Sequence, residues 1–462
     1  MVRLTLRKLA LSLVLATTLL AICRRYAGDL HFTISRFQDN KHPSVNPYPP
    51  DITTSKDSFI EAFLSTELAL QFDHAAIQSV CASKGWREDV VFTCDYIAGG
   101  IGNVRNHLLN CIRYAIEAGG SLVIPGVMRR NQDDISEIDT EDWMDLGYLF
   151  DKEWFLEHLS TACPELKLWQ SLDDIPASSN GTMSQKLKLL PGSLDSWVPK
   201  WGLAHPTSWR AYFDEWLNVF GDNSSAQTYL VGIGRAYLEF PVMYDGEKFV
   251  EEFGKILRFR KDARVLAGAV LWELQRKFFN QSSILIPGDR VIANTYFGVH
   301  LRTESDAVKA WPDADWKFQR YSIQSSLAIE EISHSTLKVV YIASGNTTEA
   351  ARFANDAYAS PMLSDLAGVV TKHDLLSAED KKVLDSFTFD QAAMVDFIVM
   401  EKSSRFAGIG HSSFAWNVAL RRHLLVKKER SFLSGPNLLH DSLSDIWGVT
   451  RSYVEYSNCM WP

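Results

Sequence analysis

The amino-acid sequence predicts an α/β protein with two Rossmann-like lobes. Residues 90–125 have the pattern strand, glycine-rich loop, amphipathic helix and second strand, which is the building unit of a parallel sheet. A second series of strands and helices begins near Arg290 and runs to about residue 423. Ligands of such sheets bind beyond the carboxyl ends of the strands. We therefore expect the functional residues in the loops that follow strands.

Length and composition indicate a folded protein of two or three domains. The chain has 462 residues, of which 46% are apolar and 22% are charged, as in ordinary globular proteins. The net charge of -9 argues against a general nucleic-acid binder, which normally carries a basic excess.

The amino terminus predicts a membrane anchor. Residues 9–23 are apolar and uncharged, with three positive charges before them and two after them. So short a segment also fits the core of a cleaved signal peptide, but no small-residue cleavage site closes it cleanly. We expect residues 1–28 to be a cytoplasmic tail and signal anchor of a single-pass type II protein, and a cleaved signal is the alternative.

Either start sends the remainder into the secretory lumen, so we expect a glycoprotein of the Golgi or endoplasmic reticulum membrane. Asn-X-Ser/Thr triplets agree with this location. They lie at Asn180, Asn223, Asn280 and Asn346. Of six cysteines, five lie beyond the anchor. An oxidising compartment predicts one or two disulfides, with a thiol left over and the pairing open.

Composition also divides the chain. Residues 29–87 contain the proline-rich stretch KHPSVNPYPPD and a short helical pattern, which is typical of a stem. Residues 88–288 and 289–462 are the predicted lobes.

The loop GGIGN, Gly99 to Asn103, lies between a strand and a helix. Free N–H groups of the first helical turn can bind an anion there. The alternative is a tight turn in which Asn103 is the helix N-cap. The loop is not G-x-G-x-x-G, so the fingerprint of nicotinamide and flavin sites is missing.

The stretch HLRTESD places charges at a strand end. In an extended chain His300, Arg302, Glu304 and Asp306 share one face. A buried arginine needs an anionic partner. Two interpretations stand: Arg302 pairs with its neighbouring carboxylates, or it binds the phosphates of a ligand.

The stretch GIGHSSFAWN again precedes a helix. Ser412 and Ser413 either cap this helix or bind a phosphate, and Phe414 is either a site residue or part of the core. G-x-S-x-G requires glycine where Phe414 stands, which argues against a hydrolase elbow. The pair of aspartates in DADW, residues 313–316, is too common a pattern to support a metal site.

In this order the motifs resemble those of the GDP-fucose protein O-fucosyltransferase superfamily, including its fungal and plant members. The similar segments, between about Val90 and His423, are GGIGNVRNHLLNCIRYAIEAGGSLVIP, LGYLFDKEWFLEHL, GVHLRTESD, YIASGN and the stretch from MVDFIVM to ALRRH. The resemblance implies a GT-B fold with a central donor cleft, the acceptor on the first lobe and the GDP-sugar on the second. It also implies inverting transfer of fucose from GDP-fucose to a protein or glycan hydroxyl, with no metal and no cofactor.

The resemblance also implies roles for residues. Arg302 would bind the β-phosphate and stabilise the leaving GDP, and His300 would reach the guanine or ribose. Ser412, Ser413 and Phe414 would line the diphosphate. Further implied contacts to the donor come from Asp396 on the second lobe and from Gly100, Gly102 and Asn103 on the first.

The acceptor of the hydroxyl proton is left open by the resemblance. Some relatives have a glutamate in the first glycine loop, where this chain has Gly99 and Gly100. Inversion requires a proton acceptor, and we expect Glu304, Asp306 or a bound water, with Glu304 favoured because it shares the face of Arg302. The alternative function is a catalytically silent relative that binds glycans or proteins. A sulfotransferase of the P-loop type is disfavoured because no G-x-x-x-x-G-K-[ST] loop is present.

Overall fold

The computed structural model describes nine stretches of the chain. They are residues 55–66, 72–176, 185–194, 206–220, 228–279, 288–310, 314–426, 439–449 and 454–462. All of them belong to one compact unit, Ser55–Pro462. The predicted anchor, residues 1–28, lies outside the described residues, as does the proline-rich part of the predicted stem.

Strands and helices alternate along the described chain. The strands are β1 (Val90–Cys94), β2 (Ser121–Val123), β3 (Val127–Met128), β4 (Trp143–Met144), β5 (Leu168–Trp169), β6 (Leu187–Leu189), β7 (Tyr229–Ile233), β8 (Tyr296–His300), β9 (Val339–Ala343), β10 (Gly368–Val370), β11 (Arg405–Ile409) and β12 (Ser444–Trp447). The helices are α1 (Lys56–Thr66), α2 (Ala75–Ala82), α3 (Ile101–Ala118), α4 (Lys152–Ala162), α5 (Pro206–Asn218), α6 (Glu247–Phe253), α7 (Lys261–Phe278), α8 (Ser305–Ala310), α9 (Tyr321–His334), α10 (Thr347–Ala359), α11 (Lys372–Leu375), α12 (Ala378–Leu384), α13 (Phe389–Lys402), α14 (Ser413–His423) and α15 (Val454–Cys459).

The strands form two parallel five-stranded sheets, which confirms the predicted α/β class. The first has the order β5-β2-β1-β7-β6, and the second has the order β10-β9-β8-β11-β12. All pairings in both sheets are parallel. β3 and β4 form a small antiparallel pair. The strand order reverses beside β1 and beside β8, and such reversal points are where open parallel sheets bind ligands.

Apolar side chains from both sheets and from the helices beside them belong to one continuous core cluster. The first sheet contributes Val90 and Phe92, and the second contributes Tyr296 and Tyr341. Since this core includes residues of both sheets, burial of apolar surface holds the two halves together.

Two helices lie within the range predicted as a stem. α1 packs against α7 and buries Phe59 and Phe63 completely. α2 contacts α4 and α6 and buries Ile77 and Cys81. The described part of the predicted stem is therefore packed on the body of the protein.

Two disulfides are present, which confirms that prediction. They join Cys81 to Cys163 and Cys94 to Cys111, and Cys459 is buried and belongs to neither disulfide. The first bond ties α2 to the carboxyl end of α4, and the second ties β1 to α3.

Across the described ranges, no helix combines the length and the apolar character that crossing a membrane requires.

Replacing both Cys81 and Cys163 by serine should destabilise the protein more than replacing Cys94 and Cys111. The first bond joins cysteines 82 residues apart and the second joins cysteines 17 apart. Loop-closure entropy gives about 4.5 kcal/mol for the longer loop and about 3 kcal/mol for the shorter one. Urea unfolding of both double variants measures this order, and equal losses would contradict it.

Candidate active site

One cavity of about 530 Å³ lies at the carboxyl ends of central strands from both sheets. The chain enters its wall after β1, β3, β7, β8, β9, β10 and β11, so segments that follow strands of both sheets converge on it. All ten residues predicted from the sequence line it, and they are Gly100, Gly102, Asn103, His300, Arg302, Glu304, Asp396, Ser412, Ser413 and Phe414. The structure brings these residues together, and their individual roles remain predictions.

The glycine loop forms the first-sheet side of the cavity. Gly99 has a φ of 104°, which side chains other than glycine rarely adopt. The N-cap of α3 is Gly100, without a side-chain cap, so the prediction that Asn103 caps the helix is wrong. Asn103 lies one turn further on, and its buried Oδ1 has no hydrogen-bond partner. The loop therefore offers an amide to the cavity.

Gly102 sets the distance between the two halves of the site. A Cβ atom at this position would lie 2.6 Å from the carbonyl carbon of Ser413 and 2.7 Å from the nitrogen of Phe414. No side chain fits between these backbones, so α3 approaches the first turn of α14 directly. Asn417 of α14 donates from Nδ2 to the Gly102 carbonyl at 3.4 Å.

The chain beyond β8 does not stay extended. The strand ends at His300 and α8 begins at Ser305, so the prediction of one extended face from His300 to Asp306 is wrong. The four polar side chains of this stretch nevertheless all line the cavity. The turn brings Asp306 back to Arg302.

Arg302 lines the cavity and is bonded to its neighbouring carboxylates, so the ion-pair interpretation of its motif is confirmed, while phosphate binding stays a prediction. Its Nη1 donates to Glu304 Oε2 at 2.6 Å and to Asp306 Oδ1 at 2.8 Å, and its Nη2 donates to Asp306 Oδ2 at 2.7 Å. Burial acts to lower the pKa of Arg302, but the two carboxylates more than offset this and raise it. Its side chain remains 19% exposed.

Glu304 is more deeply enclosed than the arginine that it binds. Its Oε1 accepts from the backbone N–H of Gly345 at 2.7 Å, while Oε2 accepts from Arg302. Burial acts to raise the pKa of Glu304, but Arg302, together with His300 and the Gly345 N–H, outweighs it and the net shift is downward. A low pKa weakens a base, so this environment favours holding Arg302 in place.

His300 is a neutral, fixed imidazole. Burial lowers its pKa to about 4. Its Nε2 is hydrogen-bonded to Ser412 Oγ at 3.0 Å, and its ring stacks on Phe414 at 4.4 Å between centroids. At neutral pH His300 thus adds hydrogen-bonding capacity and no charge.

Ser412 caps α14, as one of the two predictions for this motif states. Its Oγ accepts from the N–H of Ala415 at 3.2 Å. The helix runs over 11 residues, and its amino terminus faces the cavity through Ser412, Ser413 and Phe414. Phe414 also packs against the core cluster, so it serves both of its predicted alternatives.

Asp396 is committed to protein partners. Its Oδ1 accepts from Tyr341 Oη at 2.7 Å, and its Oδ2 pairs with the Lys372 ammonium. Asp396 is buried, and its negative charge is balanced by Lys372 at this side of the cavity.

Sequence reasoning missed several charged residues of the cavity wall. Besides Arg235, Lys309 and Lys372, they are Arg130 and Asp390. Arg130 follows the two-residue strand β3, and Asp390 is in the first turn of α13. Asp390 Oδ1 is buried without a hydrogen-bond partner. Burial raises the pKa of Asp390 against the opposing effect of Arg130. The sequence features that could have indicated these two residues are weak. They are a pair of arginines after a strand and an acidic residue near the start of a helix.

Among the described residues, one group of His, Cys, Asp and Glu has atoms close enough to share a metal ion, namely Cys81, Cys163 and Glu165. Its two sulfur atoms are bonded to each other. Asp313 of the DADW stretch lies outside the described residues.

Changing Gly102 to Ala should lower the free energy of unfolding by about 1–3 kcal/mol, because the added methyl overpacks the contact between α3 and α14. Gly85→Ala is the matched control, since a Cβ there meets nothing within 4 Å. Urea unfolding of both variants checks this, and equal stabilities would show that the contact is looser than described.

The family model described as GDP-fucose protein O-fucosyltransferase matches residues 91–425. No curated protein sequence matches the chain.

Solved structures to which the chain is similar include fucosyltransferases. POFUT1 in complex with GDP has 12% identity and a TM-score of 0.42, with 79% of this chain and 100% of that chain covered. An Arabidopsis thaliana FUT1 mutant in complex with GDP has 13% identity and a TM-score of 0.38, with 84% and 82% covered. The Bradyrhizobium NodZ alpha-1,6-fucosyltransferase soaked with GDP-fucose has 13% identity and a TM-score of 0.35, with 73% and 93% covered.

Proposed function

Because the chain belongs to the GDP-fucose protein O-fucosyltransferase family, we propose that it transfers fucose from GDP-fucose to a hydroxyl group of a protein or glycan. The observation that carries this proposal is the convergence of Arg302, the first turn of α14 and the glycine loop on one cavity. Cationic and N–H groups that converge in this way suit a leaving diphosphate.

We propose that the two sheets are the lobes of a GT-B fold, residues 88–288 on the acceptor side and 289–462 on the GDP-sugar side. Their central strands end at the cavity, which agrees with a donor cleft between lobes. The proposal includes an anchor at 1–28, a stem within 29–87 and a Golgi or endoplasmic reticulum lumenal body. Two disulfides fit an oxidising compartment.

In the proposed reaction Arg302 neutralises charge that develops on the diphosphate as the sugar–oxygen bond breaks. The amino terminus of α14 adds N–H groups and a favourable dipole there. His300, neutral and fixed by Ser412, contacts guanine or ribose, and Asn103 faces the sugar from the other side. Arginine supplies the positive charge that other transferases take from a metal, so we propose metal-independent and cofactor-independent catalysis.

Inversion at the sugar carbon requires an acceptor for the proton of the attacking hydroxyl. Glu304 remains our sequence-based prediction, but both of its oxygens already accept hydrogen bonds and its pKa is lowered. Asp390 has an unpartnered Oδ1 and a raised pKa. On these environments we favour Asp390 as the proton acceptor and Glu304 as the residue that positions Arg302.

The first test is GDP binding. We expect GDP at 100 times its Kd to stabilise the protein by about 2.7 kcal/mol, and Arg302→Ala to abolish most of this gain. Arg276→Ala is the matched control, because Arg276 is exposed and lies on α7 away from the cavity lining. Thermal unfolding with and without GDP measures the effect.

The outcome separates the transferase from the silent relative. Hydrolysis of GDP-fucose, tested beside other GDP- and UDP-sugars, should accompany GDP binding in a transferase. A protein that GDP does not stabilise, and that hydrolyses no sugar nucleotide, would be a scaffold that binds glycans or proteins.

The second test compares Asp390→Asn with Glu304→Gln. A carboxylate base is active when deprotonated, so activity falls as pH drops through its pKa. The raised pKa of Asp390 places this fall at higher pH than the lowered pKa of Glu304 would. We expect Asp390→Asn to lower kcat about 100-fold or more and to remove the acidic limb of the pH profile. Glu304→Gln should chiefly weaken GDP binding, and the reverse result would make Glu304 the base.

A further inference from the structure

Arg130 is a second guanidinium at the cavity, and its N–H groups are poorly used. It is 5% exposed and lines the cavity. Its Nε has no hydrogen-bond partner. The nearest carboxylate oxygens are Asp390 Oδ2, 3.6 Å from Nε, and Asp306 Oδ2, 3.5 Å from Nη1. Leaving a buried charged donor unsatisfied is costly, so the arrangement indicates a further anionic ligand.

The glycine loop leaves space for this guanidinium. A Cβ at Gly100 would lie 3.0 Å from Arg130 Nη2. The absence of a side chain at Gly100 therefore lets Arg130 lie beside the loop, on the same side of the cavity as Asn103.

Asp306 lies between the two arginines. Its Oδ2 is 2.7 Å from Arg302 Nη2 and 3.5 Å from Arg130 Nη1. With Oδ1 it fills the fork of Arg302 as a bidentate partner. A phosphate presents acceptor oxygens to guanidinium groups in the same way as a carboxylate does. The Asp306 carboxylate thus marks an anion position shared by two arginines.

Arg235 and Lys309 also line the cavity, but within the cluster formed by Arg302, Arg130 and their carboxylates the charge balance favours replacement of a carboxylate by an incoming diphosphate. Arg302 and Arg130 carry two positive charges, while Glu304, Asp306 and Asp390 carry three negative charges when ionised. A diphosphate added to this cluster would meet net repulsion. Of the two carboxylates bonded to Arg302, Asp306 is the easier to displace. Its side chain is 13% exposed, against 6% for Glu304, which the N–H of Gly345 also holds.

We propose that the donor diphosphate takes the place of Asp306 between Arg302 and Arg130, so that Arg130 is a second phosphate ligand and Asp306 an internal competitor. The inference rests on the proposed function, because it concerns the same donor site. It predicts that removing the charge of Arg130 weakens GDP binding and that removing the charge of Asp306 strengthens it.

The experiment measures the affinities of GDP and guanosine calorimetrically for the wild-type protein, Arg130→Gln and Asp306→Asn. We expect Arg130→Gln to weaken GDP binding about tenfold or more, as loss of a charge-assisted hydrogen bond does, and to leave guanosine binding unchanged. Unchanged guanosine binding also shows that the variant is folded. Arg130→Lys keeps the charge without the fork and should give an intermediate loss.

Asp306→Asn should tighten GDP binding, about threefold or more, because the competing charge is removed. Asparagine keeps an oxygen that can accept the hydrogen bond now donated by the Ala307 N–H. Arg129→Gln is the matched control for Arg130, since Arg129 is the exposed neighbour that pairs with Asp142, and it should bind GDP as the wild type does.

Two results would overturn the inference while leaving the proposed function intact: GDP binding by Arg130→Gln at wild-type strength, or weaker GDP binding by Asp306→Asn. The latter would mean that Asp306 orients Arg302 and does not compete. A wild-type protein that binds no GDP would overturn both proposals.

Discussion

The direct approach of α3 to α14 at Gly102 is the contact on which the candidate site depends. Each of these helices begins just after the carboxyl end of a central strand, one in each sheet. Because only a hydrogen atom separates Gly102 from the backbone of Ser413 and Phe414, both helix starts face the same small volume. Arg105 of α3 reinforces the contact, since its Nη1 donates to Asn417 Oδ1 at 2.9 Å. The cavity is the space that remains beside this contact.

Several charged side chains at the cavity are already paired with a side chain of opposite charge. Arg302 has Glu304 and Asp306, and Lys372 has Asp396. Such pairs offset the cost of burying ions, but they also occupy the groups that would meet an anionic substrate. On the proposed function, an anionic substrate at this site would therefore have to exchange places with one of these partners. Arg130, with long contacts and an unpartnered Nε, departs from this pattern.

The hydrogen bonds and charges around Glu304 and Asp390 also suggest different roles for these two carboxylates in the proposed reaction. A carboxylate that already accepts two strong hydrogen bonds, as Glu304 does, is stabilised in its charged form and holds a proton weakly. A buried carboxylate with a free oxygen, as in Asp390, has the opposite tendency. The local environment of each carboxylate, more than its distance along the chain from Arg302, distinguishes the proposed role of Glu304 from that of Asp390.

The sequence by itself determined the parallel α/β class, the loops that carry the site and the family. Apolar periodicity and loop position are local properties, and the motifs from GGIGN to GHSSF keep their order along the chain. Only the tertiary structure decided the partners of each charge. The turn after β8 brings Asp306 back to Arg302, and α3 begins early enough that Gly100, and not Asn103, is its N-cap. Arg130 and Asp390 are 260 residues apart and carry no motif, yet they meet at the cavity. Long-range contacts of this kind depend on how the two sheets pack, which no local pattern encodes.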